Sequence, residues 1–238
     1  MAASEFYVAE CTIDDLPAMV DAYQFAFGRE QVHQWMFPEA TCPKEQSDPW
    51  IFARFKKRLT NPPPGVKHFK TVHTSSGKLA SYGRWTFPHE APKTETEDEK
   101  AEERKKDDEE NRPDVPEGAD VEACQEFFGA LDRMQKKWVD DENMYIMGLL
   151  ATHPDFQRRG CATMLLKHVL DVADREGRRT YIEATRPGKP VYEKLGWETV
   201  EVLRFSLDEE DVKAGRVKDE DRVGIHWVMI REPQPVSL

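Results

Sequence analysis

The sequence predicts an α/β fold in which a single mixed sheet is flanked by helices. Three observations point there. Short apolar runs of strand length alternate with longer stretches of helical spacing along the 238 residues. Strands adjacent in sequence are expected towards both ends. Between them an apolar run, Met144 to Ala151, passes through a tight break directly into an amphipathic helix.

In order, Phe6 to Ala9 reads as a first strand. Thr12 to Phe27 reads as a helix capped by Thr12, with two Asp residues in its first turn and Ile13, Leu16, Met19, Val20, Tyr23 and Phe27 on one stripe. Trp35 to Pro38 is an aromatic loop, either packing beneath the surface or walling an acceptor pocket. Pro49 to Leu59 is a second helix with proline in its first turn, stopped by Asn61-Pro-Pro-Pro-Gly65. Val66 to Val72 and Lys78 to Phe87 form a hairpin around Ser75-Ser76-Gly77, with a bulge expected at Gly83. Val121, Cys124, Phe127, Phe128, Leu131, Met134 and Trp138 recur at helical spacing after an Asp120 N-cap. Thr180 to Ala184 is a strand, and Pro190 to Leu195 a short helix ended by Gly196. Trp197 to Leu207 and Val223 to Arg231 then make an antiparallel pair, joined by a charged loop from Asp208 to Arg222.

The chain is long enough for one domain carrying an insertion. The expected insertion is 88–118: Glu90 to Arg112 holds 11 acidic and 6 basic residues with almost no large apolar side chain, so it is read as a mobile, solvated segment. It could instead be an acidic flap for a basic substrate. Net charge is −11, which argues against nucleic acid as the main partner. No apolar run reaches membrane-span length, and the N-terminus does not resemble a secretory signal. Four scattered cysteines suggest neither a disulfide framework nor a metal site, and fit a reducing cytoplasm or nucleus.

The richest stretch follows Ala151. His153-Pro154-Asp155 ends the apolar run, and Gln157-Arg158-Arg159-Gly160-Cys161-Ala162 opens a helix that carries Met164, Leu165, Val169 and Val172 and stops at Gly177. First-turn N–H groups lack intrahelical partners, and the helix dipole favours an anion there. Gly160 and Ala162 let a phosphate come close, and Arg158 and Arg159 add charge. A plain strand–helix connection with a surface Arg pair reads equally well on these residues alone. Neither a Walker loop nor a dinucleotide fingerprint is present. Cys161, beside the Arg pair, is expected to favour its thiolate.

Gln157-x-x-Gly160-x-Ala162 resembles the Q/R-x-x-G-x-G/A signature of the GNAT superfamily of N-acetyltransferases. Tyr181-Ile182-Glu183-Ala184-Thr185, then Val191-Tyr192-Glu193-Lys194-Leu195-Gly196-Trp197, resembles the family's next strand and its YEKLGF segment. The sharp likeness covers about Tyr145 to Val200, and the acidic insertion resembles that of fungal-type members. The resemblance implies a mostly antiparallel central sheet, splayed at the cofactor strand, with acetyl-CoA as cosubstrate and no metal. It implies a cradle of Leu150, Ala151, Thr152, Gln157, Arg158, Arg159, Gly160, Cys161, Ala162 and Thr163, with the backbone N–H groups of Leu150 and Thr152 holding the pantetheine. It also implies Tyr192 as the acid that protonates the leaving thiolate. Relatives that use a carboxylate on the signature strand find no counterpart in Met144, Ile146, Gly148 or Leu150. Glu183 is therefore the candidate base, ahead of Glu142 and His153. The acceptor is expected to be a small-molecule or peptide amine, attacked directly in a ternary complex. The competing reading is a non-catalytic acyl-CoA sensor, and either could dimerise through the Phe127/Trp138 helix.

Overall fold

The computed structural model describes residues 4–90, 115–206 and 223–235. Residues 91–114, most of the expected insertion, and the expected loop at 208–222 lie outside them. Val115 packs with the α2 cluster and Thr41 Oγ1 donates to the Gly118 carbonyl at 2.7 Å, so the last residues of the 88–118 segment are held against the domain.

The elements are β1 (Phe6–Glu10), α1 (Leu16–Phe27), α2 (Gln31–Met36), α3 (Lys44–Thr60), β2 (Val66–His73), β3 (Leu79–Thr86), α4 (Val121–Trp138), β4 (Met144–Thr152), α5 (Cys161–Arg175), β5 (Arg179–Ala184), α6 (Lys189–Glu193), β6 (Glu198–Ser206) and β7 (Val223–Arg231). One seven-stranded sheet runs β1-β2-β3-β4-β5-β7-β6. Every neighbour pair is antiparallel except β4 with β5, which α5 connects as a parallel crossover.

Several boundaries differ from expectation for physical reasons. Before α1, Ile13–Asp15 forms a tight turn in which the Thr12 N–H donates to Asp15 Oδ2 at 2.7 Å. Ile13 is exposed there and outside the core stripe. Trp35 and Met36 are helical, not loop, because α2 runs to Met36. Helix α3 starts at Lys44 and carries Pro49 in its interior, so that proline is tolerated within the helix instead of opening it.

The two faces of the sheet carry different layers. On one, α5 buries Leu165, Leu166, Val169 and Leu170 against Trp85, Tyr145 and Met147. Gly83 is needed there, since a Cβ would come within 2.7 Å of Leu165 Cδ2. On the other, α1 and α3 pack on Tyr82 and Ala151, and α4 on Ile146 and Tyr181. The bulge expected at Gly83 sits on the partner strand. Arg84 pairs with Leu149 and Trp85 with Met147, which leaves Gly148 as the extra residue in β4. It shifts the alternation, so Tyr145 and Met147 face α5 while Ala151 faces α1.

Candidate active site

Pairing between β4 and β5 covers only Met144 to Met147 against Arg179 to Ile182. Beyond the bulge the strands part. Among the described residues, Gly148 to Thr152 keep β3 on one side and have no strand on the other. The His153 N–H donates to the Ala80 carbonyl on β3 at 3.0 Å. Alternation along an extended chain therefore turns the N–H groups of Thr152 and Leu150 the other way, into the gap. At its rim Gln157 Nε2 donates to the Thr152 carbonyl at 3.4 Å.

The start of α5 closes one end of this gap. Pro154–Phe156 makes a tight turn, and the chain reverses through Arg158 (φ 60°) and Gly160 (φ 82°), both left-handed. Within the helix the first carbonyl bond is Met164 N–H to Gly160 O at 2.9 Å. The N–H groups of Cys161, Ala162 and Thr163 thus have no intrahelical partner. A Cβ on Gly160 would meet nothing within 4 Å, so open space lies over the turn. These residues fit an anion such as a pyrophosphate: free donors, a dipole end, an open approach and Arg158 beside it.

A cavity of about 1310 Å³ joins the gap to the opposite face of the sheet. That exceeds the roughly 300–1,000 Å³ usual for one small ligand and leaves room for two substrates. Of the sequence-predicted residues it gathers Leu150, Thr152, Gln157, Arg158, Gly160, Cys161, Ala162, Thr163, Glu183 and Tyr192. Ala151 and Arg159 stand apart. The Ala151 side chain is buried under α1. Arg159 pairs with Glu5 and stacks near Phe6 and Phe156, holding the turn to β1.

Cys161 needs a correction. Its thiol is 1% exposed among Phe6, Ala80 and Phe156, and it donates to the Phe156 carbonyl at 3.2 Å. Burial pushes its pKa up, away from the thiolate the adjacent arginines suggested. Only its backbone can serve the cradle.

Tyr192 is 6% exposed, with its ring edge-on to Trp197 at 5.7 Å and lying against Gly188. Burial raises its pKa, which keeps the phenol protonated. Its hydroxyl makes no hydrogen bond among the described residues.

Glu183 lies on the other side of β5, where Tyr181 Oη donates to its Oε1 at 2.8 Å and Gln135 Nε2 to the same oxygen at 3.1 Å. Burial raises its pKa above the ordinary carboxylate range, against the opposing pull of those two donors and of Arg84. His153 and Glu142 stay outside the cavity. His153 Nδ1 caps the turn by accepting from Asp155 N–H at 3.3 Å, and Glu142 is exposed in the turn before β4.

Sequence reading passed over Gln135 and Tyr181, which hold Glu183, and Arg58 and Arg84, which line the cavity. Tyr181 could have been found, because residues two apart on a strand share a face. Gln135 and the arginines sit on separate elements with no motif around them.

Residues 126–206 match the family model described as an acetyltransferase (GNAT) domain. Solved structures share the fold. Arylalkylamine N-acetyltransferase 2 from Aedes aegypti aligns over 97% of this chain and 100% of its own with a TM-score of 0.63 at 15% identity. A histone acetyltransferase HPA2-related protein from Corynebacterium glutamicum aligns over 99% and 100%, with a TM-score of 0.57 at 15% identity. The ribosomal-protein-S18-alanine N-acetyltransferase from Escherichia coli aligns over 98% and 96%, with a TM-score of 0.51 at 15% identity. No curated protein matched the chain by sequence. At these identities the structural likeness speaks for the fold. The family match falls on β4, α5, β5 and α6, which build the gap and its cradle, so this stretch of the chain is similar to a GNAT acetyltransferase domain.

Proposed function

We propose that this protein transfers the acetyl group of acetyl-CoA to the amine of a small acceptor, by direct attack with both substrates bound at once. The observation that carries this reading is one continuous cavity, with the α5 cradle at one end, the β4 gap in its middle and Glu183 on the far face. When bound, acetyl-CoA supplies an activated thioester carbonyl and a thiolate leaving group.

The chain's own residues have distinct tasks. Free N–H groups of Cys161, Ala162 and Thr163, with Arg158, would receive the phosphates. The N–H groups of Leu150 and Thr152 face the gap, where they can hydrogen-bond a pantetheine amide and polarise an adjacent carbonyl. Glu183, carrying a raised pKa, accepts a proton from the ammonium form of the acceptor, directly or through water, so that a neutral amine can attack. Tyr192 keeps its proton at neutral pH and is the group that can pass it to sulfur.

Calorimetry with acetyl-CoA tests the cradle. In Gly160→Glu a carboxylate enters the open space above the turn, and the φ of 82° is strained for any side chain. Acetyl-CoA binding should be lost while the melting transition stays cooperative. A folded variant that binds with wild-type affinity would remove the turn from the site.

A further inference from the structure

The half of the cavity on the α1, α3 and α4 face is aromatic and cationic. Arg58 of α3 and Arg84 of β3 both line it, and neither forms an ion pair among the described residues. Arg84 is fixed in place. Its Nη2 donates to the Gly148 carbonyl at 3.0 Å, at the bulge where β4 and β5 part. Its guanidinium lies against that glycine, since a Cβ on Gly148 would come within 2.9 Å of Nη2. The remaining donors of the guanidinium stay available.

The two arginines share the lining of this cavity with Tyr23. Burial lifts Tyr23 to about 12, against the pull of Arg54, Arg84 and Arg58. Their mutual crowding shows at Arg58, which burial, Arg84 and Arg54 together lower to about 10. Arg58 and Arg84, partly buried like charges that face a common cavity, are unfavourable together until an anion joins them. Glu183, which also feels Arg84, stands on β5 beside the same space. The arrangement is bipolar: a proton acceptor at one position and a guanidinium fork at another. Arg158 and the α5 N-terminus already serve the phosphate end, reached through the gap, so the fork is on the acceptor's side of the sheet.

We propose that the amine acceptor carries a carboxylate, as an amino-acid-like zwitterion with an aromatic or apolar side chain, and that Arg58 and Arg84 receive the carboxylate while the amine faces Glu183. The aromatic walls, among them Tyr23, Phe55 and Phe128, supply the surface for that side chain. This deepens the acetyl-transfer reading and rests on it. Planar, two-pronged recognition by arginine is selective for carboxylate over a neutral group of similar size.

Matched acceptor pairs on the full-length protein test it: tryptophan with tryptamine, and phenylalanine with phenethylamine, followed by CoA thiol release. Wild type should prefer the carboxylate-bearing member of each pair. Arg58→Gln should raise KM for that member by about 10–100-fold, the scale of one charge-assisted hydrogen-bonding group, and collapse its preference over the decarboxylated partner. Arg58→Lys should restore part of it. If wild type prefers the decarboxylated amines, or Arg58→Gln depresses both members equally, the carboxylate assignment falls and the transferase reading survives. If no amine releases CoA while acetyl-CoA still binds, both fall.

Discussion

At the residue scale, the proposed chemistry rests on two side chains, and each has its own signature. The Glu183 pKa lies above the usual carboxylate range, chiefly through burial. Its basic form is therefore lost at a higher pH than for an exposed glutamate, and kcat/KM for the amine should fall as pH drops through that raised value. In Glu183→Gln this acid limb should disappear and the neutral-pH rate drop by about 10²–10⁴-fold. An unchanged profile on a known acceptor would free Glu183 of the role. Tyr192→Phe removes one hydroxyl and little packing, so its cost should fall on kcat and spare acetyl-CoA affinity. Equal turnover in both proteins would end the general-acid assignment. Tyr192 and Glu183, which both line the cavity, could be singled out because they stand in recognisable segments. Arg58 and Arg84 could not, because they come together only where α3 and β3 meet in space, and no short spacing in the chain encodes that. Arg158 and Arg159 show the limit from the other side. Adjacent and chemically identical, they diverge because the turn through Gly160 sends one to the cavity and the other to Glu5.

At the element scale, α5, α6 and β7 are joined by one buried ion pair. Arg231 on β7 donates to both carboxylate oxygens of Asp174 on α5, at 2.6 and 2.8 Å, and through Nε to the Leu195 carbonyl after α6 at 2.7 Å. Their side chains are 5% and 13% exposed. Burial alone would raise the Asp174 pKa, but the bonds from Arg231 and the Gln234 N–H outweigh it and hold it below the ordinary value. Removing one partner strands the other, so Arg231→Met should cost about 3–5 kcal/mol in urea unfolding. A depressed carboxylate pKa stabilises the fold above the unfolded-state value, and this is lost as pH falls through the folded one. The gap between variant and wild type should accordingly narrow in strong acid. A loss below about 1 kcal/mol at neutral pH would place the pair among solvated surface contacts. Helix and strand types were largely readable from periodicity, and the Asp120 cap behaves as read, accepting from Ala123 N–H at 2.9 Å. The place of β7 between β5 and β6 was not, because sequence order says nothing of which edge a returning strand takes. Neither was the bulge at Gly148. Gly83 looked the better candidate, yet it is glycine because Leu165 packs on it.

At the scale of the whole molecule, the sheet is both scaffold and partition. The one parallel pair among the described residues, β4 with β5, comes apart past Met147, and the opening connects the α5 layer with the α1, α3 and α4 layer. Two substrates approaching from opposite faces could meet there without a covalent relay. Cys161 is buried, and neither Cys11, Cys42 nor Cys124 lines the cavity. The most direct test is an initial-rate matrix, varying acetyl-CoA and one accepted amine together while following CoA thiol and acetylated product. Simultaneous occupancy predicts reciprocal plots that intersect, with no CoA released before amine is added. Parallel plots, with a stoichiometric burst of CoA in the absence of amine, would reveal an acetylated enzyme and contradict direct transfer across the gap.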